Sequence, residues 1–385
     1  MQKNFFSDEK TRGILYQTLV IGLFALGIYF VVTNTAYNLE KRNIATGFAF
    51  LNNPAGFDIS FSPFLDFKST DTHLKVYYVG VLNTLLVSVT GCIAATILGF
   101  FVGIIRLSSN WLLSRTAYAY VEFTRNVPLI LQIILWYAIL IQLPRIKQSI
   151  QFLEIFFISN RGLYSPRPIF ESNFFYVNIT FIVSIIVAYI IYKWAKKRQE
   201  NTGKQFPTIS VNLSLIILFP LFIYFISGSP INLDYPVLKG FNFKGGMVIR
   251  PEFIAMFLAL TIYTGAFISE TVRSGILSVT KGQREASGAL GLKKNWIMRL
   301  IIIPQALRVI IPPLTSQYLN LTKNSSLGIA VGYADLVHGF GGISLNQTGQ
   351  AIECMAITMA TYLCISLLIS FFMNIYNKSI QFKEK

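Results

Sequence analysis

The sequence predicts an all-α polytopic membrane protein with about eight transmembrane helices. Three observations carry that expectation. Charged residues are only 13% of the 385-residue chain, about half the share found in soluble domains. Hydrophobic residues reach 53% and the mean hydropathy is +0.55, and this apolar material is gathered into runs that reach the roughly 20 residues needed to cross a bilayer as a helix. Lys and Arg collect in short clusters beside those runs, as they do in cytoplasmic loops. Buried core helices of a large soluble protein are rarely so long or so numerous.

Each span follows from its own stretch of sequence. The apolar run from Ile14 to Val32 comes after Lys3, Lys10 and Arg12. Its length and the lack of a small-x-small cleavage site predict an uncleaved span, 14–34, rather than a signal peptide. The second span, 79–105, carries Gly91 and the GxxxG pair Gly99 and Gly103, small residues that let helix backbones approach closely in lipid. The third, 117–143, has Glu122 and Arg125 near its start. The fourth and fifth are expected at 174–193 and 211–227. The sixth, 252–277, has Glu270 and Arg273 near its end, and the seventh, 300–322, is interrupted by Pro312, Pro313 and the polar residues Gln317 and Asn320, with Lys323 just beyond. Gly328, Gly332, Gly339, Gly341 and Gly342 make the following stretch a poor continuous helix before the eighth span, 351–376.

The Lys/Arg bias orients these spans. The segment from Lys193 to Lys204 holds Lys193, Lys196, Lys197, Arg198 and Lys204 against Glu200, and the segment 279–299 holds Lys281, Arg284, Lys293, Lys294 and Arg299. Both are expected in the cytoplasm, as is the short loop flanked by Arg106 and Arg115. Both termini then face the cytoplasm, with a basic tail from Lys378 to Lys385. The net charge of +16 does not read as a nucleic-acid interface, because no basic groove interleaved with stacking aromatics is visible. Cys92, Cys354 and Cys364 fall in expected spans and form no disulfide framework. His73 and His338 are far apart and lack metal-ligand spacing, so no metal site is expected.

Charged groups at span depth are expensive and therefore functional suspects. Glu122 and Arg125, like Glu270 and Arg273, lie three residues apart on a shared helix face, where opposite charges can pair. Their cytoplasmic position favours a structural clasp or gate over a central binding site. Gln317, Asn320 and Lys323 recur at three-residue spacing and are candidates for lining an aqueous path. Lys323 suits a carboxylate, and Glu353 is the candidate acceptor for an ammonium group.

The most informative stretch is cytoplasmic. Glu285-Ala286-Ser287-Gly288-Ala289-Leu290-Gly291 is followed, after nine residues, by Ile301-Ile302-Ile303-Pro304. A short helix with small residues at Ala286, Ser287 and Ala289 can bury itself closely against another protein. Gly291 permits a bend that side chains resist. Pro304 suits the first turn of the next helix and marks where it begins, and Glu285 can cap the helix or pair with a basic neighbour. An ordinary amphipathic surface loop would not need the downstream Gly and Pro at these positions.

This pattern resembles the EAA loop of ABC importer permeases: Glu-Ala-Ala, three residues, Gly, nine residues, Ile-x-Leu-Pro. Ser287 replaces the second Ala and Ile303 replaces Leu. The resemblance extends to Tyr263-Thr264-Gly265-Ala266-Phe267-Ile268-Ser269-Glu270-Thr271-Val272-Arg273-Ser274-Gly275, to Phe123-Thr124-Arg125-Asn126-Val127-Pro128 and to Leu321-Thr322-Lys323-Asn324-Ser325-Ser326-Leu327. These stretches are similar to signatures of the polar amino acid uptake family, which serves histidine, glutamate, glutamine, arginine and opines. Asp335 falls where that family usually carries an acidic residue. The outer stretches Asn34–Leu39, Gly47–Leu51 and Ala55–Ile59, with Asn160-Arg161-Gly162-Leu163-Tyr164, look most like the larger permeases of broad-specificity L-amino-acid importers.

The resemblance implies a five-helix ABC type I importer core with additions: a membrane anchor and periplasmic loop over 1–78, core over 79–143 and 252–385, and an inserted segment with two extra spans over 144–251. It implies transport of polar or general L-amino acids through a bacterial inner membrane, powered by a partner. No phosphate-cradling Gly-x-x-x-x-Gly-Lys-Ser/Thr and no hydrolase motif is present. ATP and Mg are therefore expected on a cytoplasmic ABC ATPase dimer, with no cofactor and no catalytic residue on this chain. The remaining implied partners are a second permease subunit, identical or related, and a periplasmic amino-acid-binding protein. An ion-coupled secondary transporter is the alternative, although such proteins often show paired broken helices in two related halves and only one such segment is visible here. A membrane scaffold that transports nothing is the third reading.

Overall fold

The computed structural model describes residues 9–41 and 46–381. Lys3, Lys383 and Lys385, counted among the cytoplasmic charges, lie outside the described residues, as do the side chains of Lys10 and Lys294. The helices are α1 (Glu9–Lys41), α2 (His73–Ile105), α3 (Trp111–Asn126), α4 (Leu129–Ile141), α5 (Phe174–Thr202), α6 (Thr208–Ile226), α7 (Pro251–Leu277), α8 (Lys281–Ala289), α9 (Lys294–Ile297), α10 (Ile303–Asn324), α11 (Leu345–Thr348) and α12 (Ala351–Ile380). Among the described residues seven helical runs are long and apolar enough to cross a membrane, and the bent pair α3–α4 makes an eighth if it counts as one span.

The bend has a local cause. Proline disfavours helical backbone in the residue before it, and Val127, preceding Pro128, is extended at φ −96° and ψ 125°. The expected third span is thus two helices meeting at 105°. Gln132 Nε2 donates to the carbonyls of Thr124 and Val127, both at 3.0 Å, pairing acceptors that the broken ladder leaves open.

The seventh span departs from expectation in the other direction. α10 runs straight through Pro312 and Pro313, and the helical run extends over Asn295–Val331. Both prolines lie on the exposed side of the helix. The irregular backbone begins later, with a 3-10 stretch at Ser325–Val331 and a π stretch at Leu336–Ser344.

The chain forms two compact units, Met1–Trp136 with Ala255–Lys385, and Tyr137–Ile254. In the first, α2 packs on α7 through its small residues. A Cβ on Gly99 would stand 2.6 Å from Ile268 Cβ, and one on Gly103 would stand 2.8 Å from the Ser269 carbonyl oxygen, so only glycine permits this approach. Asn83 and Thr84 of α2 hold the 333–336 segment. Asn83 Nδ2 donates to Ala334 O at 2.9 Å, Tyr333 Oη donates to Asn83 O at 2.8 Å, and Leu336 N donates to Thr84 Oγ1 at 3.1 Å. Asp335 is fully buried, accepting from His338 N at 2.8 Å and from Tyr362 Oη at 3.3 Å. The Asn83 amide nitrogen, the Thr84 hydroxyl and the Asp335 carboxylate are thereby paired, as burial of such groups favours, while Asn83 Oδ1 is buried without a partner.

The loop before α2 is folded rather than loose. Phe50, Ala55 and Phe67 bury against Val76, Val79, Leu336, Phe340 and Cys354. His73 Nδ1 lies 2.9 Å from Ser344 Oγ. Asp71 pairs with Lys75 at 2.8 Å, and the hydrogen bonds from the Lys75 ammonium and the Lys68 N–H hold its carboxyl below the usual carboxylate range.

In the second unit α5 and α6 form a close-packed antiparallel hairpin, pinned by Asn212 Nδ2 donating to Ala188 O at 3.0 Å. The stretches 144–173 and 228–251, expected as loops, contain short antiparallel strands: β1 (Ile150–Phe152), β2 (Phe156–Ser159), β3 (Gly162–Ser165), β4 (Arg167–Phe170), β5 (Ile231–Asp234), β6 (Val237–Lys239), β7 (Asn242–Lys244) and β8 (Met247–Ile249). They pair in the orders β1-β2-β3-β8, β4-β5 and β6-β7. None exceeds four residues, too short for an alternating pattern to register in sequence. Their cohesion comes from rings that meet across strands, Phe243 lying 4.6 Å from Phe157 and 4.5 Å from Tyr164.

Candidate coupling surface and translocation path

The stretch singled out in the sequence forms α8 and a defined end. Gly291, at φ +74°, is where the helix turns away. Its N–H donates to Gly288 O at 2.9 Å, and the Leu292 N–H donates to Ser287 O at 3.3 Å, the paired bonds of a Schellman ending. A residue with a Cβ resists that φ.

The helix faces are clearly divided. Glu285, Ala286, Gly288 and Ala289 point outward, and Leu290 is 80% exposed. Ser287 corrects the expectation of an outward small residue: it is 1% exposed and faces its own chain. Its Oγ donates to the carbonyls of Gln283 and Arg284, each at 2.8 Å, so the buried hydroxyl stays paired within the helix. Arg284 Nη2 donates to Ile276 O at 3.0 Å, tying α8 to the end of α7, and Gln305 Nε2 donates to Gln283 Oε1 at 3.3 Å, tying it to α10. α8 is therefore a small-residue knob fixed to two long helices.

Pro304 is also corrected. It lies in the first turn of α10, but the helical run already begins at Asn295, so it does not mark the start. A π turn over Met298–Ile302 immediately precedes it. A proline cannot donate to the i−4 carbonyl and its ring crowds that carbonyl; a wider turn just before it relieves both conflicts.

The two charged pairs differ. Glu270 bonds Arg273 at 2.8 Å and also accepts from Arg106 Nη1. The Arg106 side chain is 6% exposed, so this three-residue clasp joins the end of α2 to α7. Arg106 was missed as a clasp residue, yet it lies three positions after Gly103, on the face that packs against α7. Glu122 and Arg125 are not an ion pair among the described residues. The Arg125 guanidinium instead stands 5.1 Å from the centre of the Phe267 ring. Exposed i,i+3 ion pairs are worth only about 0–1 kcal/mol, and a ring contact of similar strength displaces this one.

Asn320 and Lys323 are exposed on α10, with Gln317 half-buried beside them. They form one polar stripe with Ser316, continuous with the exposed prolines. Glu353 is engaged elsewhere: its Oε1 accepts from Gly47 N at 2.6 Å. That bond anchors the folded loop before α2 to the start of α12, which corrects the expectation of a free ammonium acceptor.

Residues 181–382 match the family model described as binding-protein-dependent transport system inner membrane component. The chain is 48% identical over 379 residues to the general L-amino acid transport system permease protein AapQ of Rhizobium johnstonii, covering 98% of this chain and 94% of that protein. It is 46% identical to the putative amino-acid ABC transporter permease protein YhdX of Escherichia coli, covering 99% of this chain and 97% of that protein. It is 42% identical to the glutamate/glutamine/aspartate/asparagine transport system permease protein BztB of Rhodobacter capsulatus, covering 98% and 96%.

Proposed function

The chain belongs to the family of binding-protein-dependent transport system inner membrane components, and on that premise we propose that it is the transmembrane subunit of an ABC importer carrying polar or general L-amino acids inward. The observation that carries this reading is 48% identity along nearly the whole length of a general L-amino acid permease. The family implies an ATPase and a substrate-binding protein as partners, and the permease subunit is not itself the enzyme. ATP and Mg belong on the ATPase, and the pore is completed by a second permease subunit.

α8 is the surface that receives the work of ATP hydrolysis. It suits the task because its outward residues are small and its inward residues are bonded to α7 and α10. A displacement of α8 is passed to two membrane helices rather than lost in a loose loop. Glu285, Ala286, Gly291 and Leu290 form or shape the contact, while Ser287 and Pro304 hold it from behind. The stripe of Gln317, Asn320 and Lys323 lines the path, with Lys323 meeting the substrate carboxylate. Glu270, Arg273 and Arg106 clamp the cytoplasmic ends of α2 and α7. Residues 79–143 and 252–385 form the core; 144–251 is an insertion; 1–78 is an anchor with a folded outer loop. Both termini lie in the cytoplasm of a cell whose inner membrane holds the protein.

The test is separation of hydrolysis from uptake. Gly291→Trp and Glu285→Lys are expected to leave the protein inserted while uptake of radiolabelled amino acids falls at least tenfold and ATP hydrolysis no longer responds to substrate. Ordinary uptake by both variants removes α8 from the coupling role.

A further inference from the structure

We propose that the tip of the α5–α6 hairpin is a binding platform for the headgroups of anionic phospholipids. This inference is independent of what the protein transports. α5 has 29 residues, about 44 Å of helix, against a hydrocarbon core of about 30 Å. α6 has 19 residues, about the length of one crossing. The last turns of α5 therefore stand clear of the hydrocarbon, and the chain returns through Gly203–Pro207 to begin α6.

One ring contact marks the level of the membrane surface. Trp194 and Phe206 meet edge to face at 5.4 Å, closing the hairpin at the depth where amphipathic rings settle. Two of the cations are held beside aromatic rings of α5. Lys193 Nζ lies 4.8 Å from the centre of the Tyr189 ring, and the Arg198 guanidinium lies 5.3 Å from Trp194.

The helix is also sorted by face. Ser184, Ala188 and Ala195 are buried, at spacings of four and seven that place them on one side. Lys193 and Lys197 fall on the opposite side and Lys196 on the flank, and all three are exposed. With Arg198 and Lys204 they make five cations against the single carboxylate of Glu200. Among the described residues, none of the five is in an ion pair. A cluster of this size directly beyond a membrane helix is the arrangement that attracts anionic headgroups. Here the protruding helix presents its charges at the height of the phosphates, with the aromatic rings beneath them. The Lys/Arg bias places this tip at the inner leaflet.

The test uses the intact transporter, permease with its ATPase, in nanodiscs of phosphatidylcholine containing a minor fraction of phosphatidylglycerol. Native mass spectrometry counts the lipids retained. Phosphatidylglycerol is expected in excess over its bulk share, and the excess should shrink as salt is raised. Lys196→Gln/Lys197→Gln/Arg198→Gln should lower the relative retention roughly fivefold per charge removed, whereas Lys196→Arg/Lys197→Arg should keep it. Equal retention in the Gln variant and the parent overturns the proposal. So does displacement of phosphatidylglycerol by inorganic phosphate at the ionic strength of a chloride control, which would assign the cations to a soluble anion. Loss of the ATPase from the Gln variant with lipid counts unchanged would assign them to an acidic protein surface, and also overturns it.

Discussion

Arg106 illustrates how much one side chain contributes by its position. It is nearly buried at the end of α2 and donates to Glu270, which Arg273 also holds. Arg106→Met keeps the bulk and removes the charge-assisted bond, a loss of about 1.5–3 kcal/mol. The expected outcome is a lower unfolding temperature in detergent, with a smaller drop for Arg273→Met because that guanidinium is more exposed. Lys323, in contrast, is exposed on a polar stripe of α10. Lys323→Ala should weaken uptake severalfold without altering thermal stability or ATPase association, and unchanged uptake kinetics would remove it from the path. Asp71 offers a pH test outside the membrane. Its carboxyl is held below its ordinary value of 3.8 by Lys75 and Lys68. Its contribution is therefore present above that value and is lost as pH falls through the lower folded one. Proteolysis of the 46–72 loop should accelerate only in that acid window, and Asp71→Asn should reproduce the acceleration at neutral pH.

At the scale of elements, the α2–α7 seam is the most constrained. Gly99 and Gly103 leave no room for a Cβ, so Gly99→Leu must push α7 outward. Overpacking of this kind costs about 1–3 kcal/mol, and because the seam ends in the Arg106 clasp, the clasp should loosen with it. A double variant carrying Gly99→Leu and Arg106→Met is expected to lose less than the sum of the single losses. The GxxxG spacing was readable from sequence because small residues in an apolar helix have few other uses. The bend at Pro128 was less readable. A proline restrains the residue before it wherever it occurs, but Pro128 breaks its span by 105° while Pro312 and Pro313 do not interrupt α10. The difference lies in the surroundings: Gln132 accepts the role of pairing the open carbonyls at the break, and the paired prolines face outward.

For the whole molecule, the chain divides into two compact units, the second of them Tyr137–Ile254, and the segment 144–251 is proposed as an addition to a helical core. Replacing 144–250 by a short flexible linker should therefore leave a chain that still inserts and still retains the ATPase, measured by co-purification. Failure to insert would mean that the segment is required for the core to form.

The sequence by itself determined the class and a count of seven to eight crossings, and a fixed spacing of Glu, Gly and Pro singled out the α8 stretch, because run length, composition and spacing are all local quantities. It could not say which side of α8 is exposed, that Glu353 would anchor the loop before α2, or that Arg125 would leave Glu122 for Phe267. Those outcomes depend on groups far apart in the chain competing for one another. Only the tertiary structure brings them within reach, since a hydrogen bond or ring contact is decided by distances of a few ångströms that no sequence separation encodes.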